Sequence, residues 1–149
     1  MSMTKRNILS AFGLCALLLP MTVGAKNQVA RPLTIRCTGT TDLVTGAAFM
    51  WGVATHSGVF TNEAQLTGPS SARGRLVGAN GDEVHWDATF TNTPISSNEW
   101  LTQLTVTVTG GTGRFEGASG GFTAEYVETI DWDTLTTTYS FTGTGTITY

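Results

Sequence analysis

Apolar residues alternate with threonine along most of this chain, and glycine breaks the alternation. The run from Trp100 to Thr109 sets Leu104, Val106 and Val108 on one parity and Gln103, Thr105, Thr107 and Thr109 on the other. Successive side chains of a strand point to opposite faces, so a period of two predicts a half-buried β-strand. The strand leads into residues 109–121, where six glycines fall in the twelve residues from Gly110. A second alternation leaves that stretch, with Phe122, Ala124 and Tyr126 opposite Thr123, Glu125 and Val127. Glycine reaches positive φ at little steric cost, so the stretch predicts a sharp corner, a bulge or a close backbone approach. From that corner Phe115 is expected to plug one end of the core, and Arg114 to pair with a carboxylate or a carbonyl. A phosphate cradle would be the other use of such glycines. The spacing Gly111-x-Gly113-x-x-x-Gly117 misses the dinucleotide pattern, however, no helix is expected after it, and no Lys-Ser/Thr pair accompanies it.

The same period recurs along the chain. Residues 33–40, 47–56, 59–67, 73–77, 83–90 and 135–149 read as further strands, with 73–77 as a short edge strand. Between them lie turn residues such as Gly68-Pro69-Ser70-Ser71, Asn80-Gly81-Asp82 and Asp131-Trp132-Asp133, and a polar loop over residues 91–98. About eight strands and no helix predict an all-β fold, a single closed antiparallel barrel. Threonine on the polar parity suits a pleated exterior, because it is β-branched and stiff at χ1. The expected core is Phe49, Trp51, Phe60, Trp86, Phe90, Phe122, Tyr139 and Phe141. Gly143 and Gly145 share the parity of Tyr139 and Phe141, which predicts a bend or room for a neighbouring aromatic.

Residues 1–25 carry the marks of a signal peptide. Lys5 and Arg6 precede an apolar run from Ile8 to Leu19, Pro20 ends it, and Val23-Gly24-Ala25 supplies small residues for cleavage. The run falls short of the roughly 20 apolar residues of a membrane-crossing helix. Cleavage near Ala25 and a secreted or periplasmic location are expected, with residues 26–32 as a flexible lead-in and 33–149 as the barrel domain. Cleavage removes Lys5 and Arg6 and no acid, leaving six basic and eleven acidic residues, a net charge of −5. That balance argues against nucleic acid and anionic membrane as partners, since both require basic patches. Cys15 leaves with the leader, so Cys37 stands alone and no intramolecular disulfide forms. Cys37 shares the parity of Leu33 and Ile35 and reads as a small buried apolar residue, with a nucleophile or an intermolecular bridge as the alternative.

No catalytic or metal motif stands out. His56 and His85 lack metal-type spacing, and no cofactor is implied. His85 shares a strand face with Glu83 and Asp87, which is a hydrated exterior, an acid–base group or a weak metal site; His56 reads as a capping residue near a strand end, with a polar group in a pocket as the alternative. Ser119 lacks the Gly-x-Ser-x-Gly elbow. Glu128, Asp131 and Asp133 lack the calcium-loop pattern and read as a plain acidic turn. A small barrel can instead hold a ligand. Trp51, Trp86 and Tyr139 are the candidates to line its interior, with Arg114 at the glycine corner. Glu125 and Glu128, which flank Tyr126, are the candidate catalytic carboxylates. The apolar parity around Met50 and Ala54 hints at an outer contact surface and a homo-oligomer.

The segment Gly110-Gly111-Thr112-Gly113-Arg114-Phe115-x-Gly117-Ala118-x-Gly120 resembles one that recurs in secreted bacterial proteins of unknown function. It is also similar to the corresponding turn of plant dirigent proteins and allene oxide cyclases. Ala54-Thr55-His56-Ser57-Gly58-Val59-Phe60-Thr61 resembles a second stretch of the bacterial group. The resemblance implies a calycin-like, eight-stranded antiparallel barrel and, further off, an isomerase or cyclisation-guiding activity. Three functions follow as expectations: an exported barrel that binds a small hydrophobic molecule, a dirigent-like or cyclase-like catalyst, or a surface-interaction protein with no ligand.

Overall fold

The computed structural model describes residues 28–149; the expected signal peptide and its expected cleavage near Ala25 lie outside the described residues. Eight antiparallel strands follow one another around a closed barrel: β1 (Ala30–Asp42), β2 (Ala47–Ala54), β3 (Gly58–Gly68), β4 (Ser71–Gly78), β5 (Glu83–Pro94), β6 (Glu99–Gly111), β7 (Ser119–Asp131) and β8 (Thr136–Thr148). β8 returns to β1 over thirteen paired positions, from Ala30↔Thr148 to Asp42↔Thr136, so the ring has no free edge. A single 3-10 turn, Gly113–Phe115, is the one helical element among the described residues.

Closure lengthens and re-aims several elements. β1 begins at Ala30, so residues 30–32 belong to the barrel rather than to a lead-in. Pro32 is tolerated because β1 there pairs with β8 alone; its pairing with β2 starts only at Ile35. β5 continues through half of the expected polar loop to Pro94, in register with β6 as far as Trp100. Arg73–Val77 is no edge: β4 is paired on both sides, to β3 and β5. Its arginines lie on the outer face, where Arg73 Nε meets Asp87 Oδ1 at 2.8 Å and Arg75 bridges Glu63 and Glu83 at 3.2 Å each.

β2 faces opposite to expectation. Directly paired residues share a face of the sheet. Ile35 pairs with Ala54, Cys37 with Gly52, and Gly52 with Phe60. Ile35, Cys37 and Phe60 are buried, so Ala54, Gly52 and Met50 point inward with them. Phe49, Trp51 and Val53 are thereby turned to solvent, with Trp51 49% exposed. Phe49 and Trp51 therefore leave the core list, and the outer apolar surface lies on their parity rather than on that of Met50 and Ala54. The other expected core aromatics do point inward, and Gly143 makes room for one of them: a methyl there would collide with the Phe122 ring.

The glycine corner closes one end. An extra residue, Thr109, bulges out of β6 between the pairs Trp86↔Val108 and His85↔Gly110. The chain then makes its 3-10 turn. Gly113 has φ +58, and any side chain there would strike the Asp82 carboxylate. Phe115 drops from this turn into the barrel end and is 1% exposed. Its ring meets Tyr149 edge-on at 5.0 Å, while the Arg114 guanidinium covers its outer side at 4.9 Å and approaches Asp82 at 3.5 Å. Phe115→Ala removes a fully buried ring that the neighbouring backbone cannot collapse to replace, and should cost about 3–5 kcal/mol. Phe49→Ala on the outer face should cost under about 1 kcal/mol. Urea denaturation of the two variants reads the difference, and equal midpoints would show that Phe115 is not a plug.

Candidate functional site

The inward parities do not fill the barrel. They enclose a cavity of about 310 Å3 that runs from Phe115 at the closed end to Leu43, Pro69 and Trp100 at the other. One half of its wall is aromatic. Tyr126 stacks on Phe141 at 4.8 Å, Phe122 lies against Phe141 at 6.3 Å, and Tyr139 is 5.5 Å from Tyr126, all on β7 and β8. The other half, on β2 to β5, sets the alanines Ala48, Ala54, Ala64, Ala72 and Ala88 among larger residues such as Met50, Phe60, Leu76 and Phe90. Trp86 rises from that half. It lies flat over Gly74, where a methyl group would collide with the indole. Between the aromatic strands the ladder lapses: the pairs Thr123↔Thr144 and Glu128↔Tyr139 keep one register, but residues 124–127 and 140–143 are not paired.

Polar groups enter this apolar space at two places. Asn62 on β3 is 3% exposed, and its Oδ1 accepts the Trp86 Nε1–H at 2.8 Å. Towards the far end, Glu128 on β7 lies beside Thr102, which is fully buried. Thr102 Oγ1 is 3.1 Å from Glu128 Oε1 and 3.0 Å from Asn92 Oδ1. A threonine hydroxyl has one proton to give. The single proton of Thr102 serves Glu128 Oε1 or Asn92 Oδ1 at one time. Burial raises the Glu128 carboxyl above the usual range, while the hydroxyls of Thr102, Tyr126 and Thr137 pull it back. Burial also pushes the Tyr139 phenol and the Cys37 thiol up to about 12 each, which leaves Cys37 a poor nucleophile. The Tyr126 phenol is raised further, by burial and by the neighbouring Glu128.

Three buried side-chain polar atoms among the described residues lack a hydrogen-bond partner: Ser57 Oγ, Asn62 Nδ2 and Thr137 Oγ1. All three belong to residues that line the cavity. Native interiors pair nearly all such groups; the Thr137 hydroxyl lies near enough to Glu128 to act on its carboxyl, which leaves Ser57 Oγ and Asn62 Nδ2 as the unmet groups.

The sequence candidates divide cleanly. Trp86, Tyr139 and Glu128 line the cavity. Trp51 does not, because the register of β2 turns it outward. Glu125 also faces out and accepts from Gln103 Nε2 at 3.0 Å; it is one residue off the inward parity of Tyr126 and Glu128. Arg114 covers the plug from outside. His85 sits in the exterior ion-pair network, with Nε2 2.8 Å from Glu83 Oε2, and that contact holds the Glu83 carboxyl below its ordinary range. His56 occupies the turn after β2 with φ +77, and its Nε2 hydrogen-bonds the Pro32 carbonyl at 2.8 Å. Glu128 does not converge with Asp131 and Asp133: Asp131 Oδ1 accepts the backbone N–H groups of Asp133 and Thr134 in a tight turn. Asn62, Thr102 and Thr137 were legible only as polar residues on apolar parities.

Glu128 gives stability a pH signature. A carboxyl whose pKa is higher in the folded than in the unfolded chain binds more protons when folded, so stability falls as pH rises. Its contribution is complete below the ordinary glutamate value of about 4.3 and declines as pH climbs through the raised folded value. Exposed Asp42 and Asp131, held low by backbone N–H groups, act in the opposite sense at more acid pH. The comparison is therefore wild type against Glu128→Gln: the variant should gain relative stability steadily from about pH 4.3 upward, and parallel curves would mean that Glu128 is not buried as described. No family model, curated protein or solved structure matches this chain.

Proposed function

We propose that the barrel binds one small, neutral, largely apolar molecule in its interior. The observation that carries this is the cavity itself. Its volume of about 310 Å3 stands at the lower end of the range of small-molecule sites, which are typically apolar with a few placed polar groups. The stacked wall of Phe122, Tyr126, Tyr139 and Phe141 favours a flat guest, since rings gain from offset or edge contact. Neutrality follows from the lining, which includes no lysine or arginine and one acid, Glu128. A fatty-acid carboxylate would be desolvated there with no cation to meet it. The exterior carries threonines and ion pairs beside an apolar patch on β2 of Phe49, Trp51 and Val53.

A catalytic use of the same space, as in the dirigent-like or cyclase-like alternative, is favoured by one observation. Glu128 is a buried acid that touches the cavity and connects through Thr102 to exposed Asn92. A carboxyl whose pKa is raised by burial is suited to general acid–base work. Binding is the part both uses share.

Neutral aromatics of two fused rings should raise the melting temperature of the protein residue 26 onward, and laurate at pH 8 should not. At a hundredfold excess over Kd the stabilisation is about 2.7 kcal/mol. Ala64→Phe, which fills the void from the β3 side, should abolish the response. A flat melting temperature with every neutral aromatic and aliphatic probe would defeat the proposal.

A further inference from the structure

We infer that Asn62 is the hydrogen-bond anchor of the cavity, and that the guest carries a neutral oxygen acceptor, a carbonyl or an ether, on its apolar body. This rests on the cavity being a binding site and specifies what it selects.

Asn62 is out of place on its strand. It faces inward on β3 between Phe60 and Ala64, paired with Met50 on β2 and Leu76 on β4. Each of those neighbours is apolar, and a buried amide among them is costly unless both of its ends are satisfied. Only one is. The indole N–H of Trp86 is a donor and never an acceptor, so it must meet Oδ1, and the observed 2.8 Å contact does so. Rotating the amide by half a turn would set donor against donor. Trp86 is itself held, because its ring is bedded on the bare backbone of Gly74. The NH2 end of Asn62 is thus fixed as the free end, buried and without a partner on a residue that lines the cavity.

That end is more selective than the other two unpaired groups. The hydroxyls of Ser57 and Thr137 can rotate to give or to accept a hydrogen bond, so they tolerate either kind of guest atom. An amide NH2 only donates. Its complement is an acceptor, and the absence of lysine and arginine from the lining makes that acceptor uncharged. The Trp86 face beside it offers a flat surface for the body that bears the oxygen.

Three probes of one shape separate the terms: 2-acetylnaphthalene, 2-ethylnaphthalene and 2-naphthoate, titrated by calorimetry into the protein from residue 26 onward. The ketone should bind at least tenfold more tightly than the ethyl compound, and the carboxylate most weakly. In Asn62→Leu the ketone and the ethyl compound should become equal. Should that variant fail to fold, the side-chain amide resonances of Asn62 in 15N-labelled wild type decide: they should move with the ketone and not with the ethyl compound. Equal affinities in the wild type, or a ketone preference that survives in Asn62→Leu, would overturn the assignment of Asn62 and leave cavity binding intact. Failure of all three probes to bind would remove both.

Discussion

Ring closure is the constraint on which the rest of the molecule depends. In an open sheet, a strand with two apolar faces could turn either one toward the core. In a closed barrel each strand is paired on both sides, and directly opposed residues must share a face. β2 illustrates the consequence. Its own residues, Ala-Ala-Phe-Met-Trp-Gly-Val-Ala, express no strong preference, yet Ile35 and Cys37 on one side and Phe60 on the other compel Met50, Gly52 and Ala54 inward. Two large aromatics are left in water as a result. Their exposure is a cost that one strand bears for the consistency of the whole ring.

The same constraint hollows the interior. Once the parities are fixed, β2 to β5 present five alanines among their larger inward residues, opposite the aromatic residues of β7 and β8, and a cavity is left between them. Phe115 seals one end because the glycine corner can fold a large ring back under the barrel. The far end is lined instead by Asn92, Thr137 and Glu128, with Thr102 buried behind Glu128. The burial that raises the Glu128 carboxyl also makes each unpaired polar group expensive, which is why Asn62 stands out against an apolar wall.

Much of this was legible in the sequence. Period-two alternation located all eight strands, and the glycine cluster marked the corner, its bulge and the plug. The readable positions were those with a one-sided pattern, such as Val84, Trp86 and Ala88, or Leu104, Val106 and Val108. Strand ends were less readable: residues 91–94 look like loop, yet the tilt of a closed barrel lengthens strands past their apolar segment, and β6 supplies partners for them. Trp51 and Glu125 failed as candidates for a shared reason. A site residue was sought by chemical type, whereas the barrel admits residues by parity. Glu128 differs from Glu125 by an odd number of positions, and that alone puts one carboxylate inside and the other outside.

An unfilled interior is itself informative. In a core that cannot collapse, empty apolar volume costs roughly 24 cal/mol per Å3, so a void of about 310 Å3 forgoes several kcal/mol of packing. Larger residues at Ala48, Ala64 or Ala88 would recover part of it without altering strand pairing, because each side chain already points inward. A chain under pressure only to be stable would have little reason to keep alanine at five lining positions while stacking four aromatic rings opposite them. Alanines on one wall and flat rings on the other leave a slot. The dispersion contacts missing from that slot are those a flat guest would restore, and the unpaired donor of Asn62 is where its oxygen would be held.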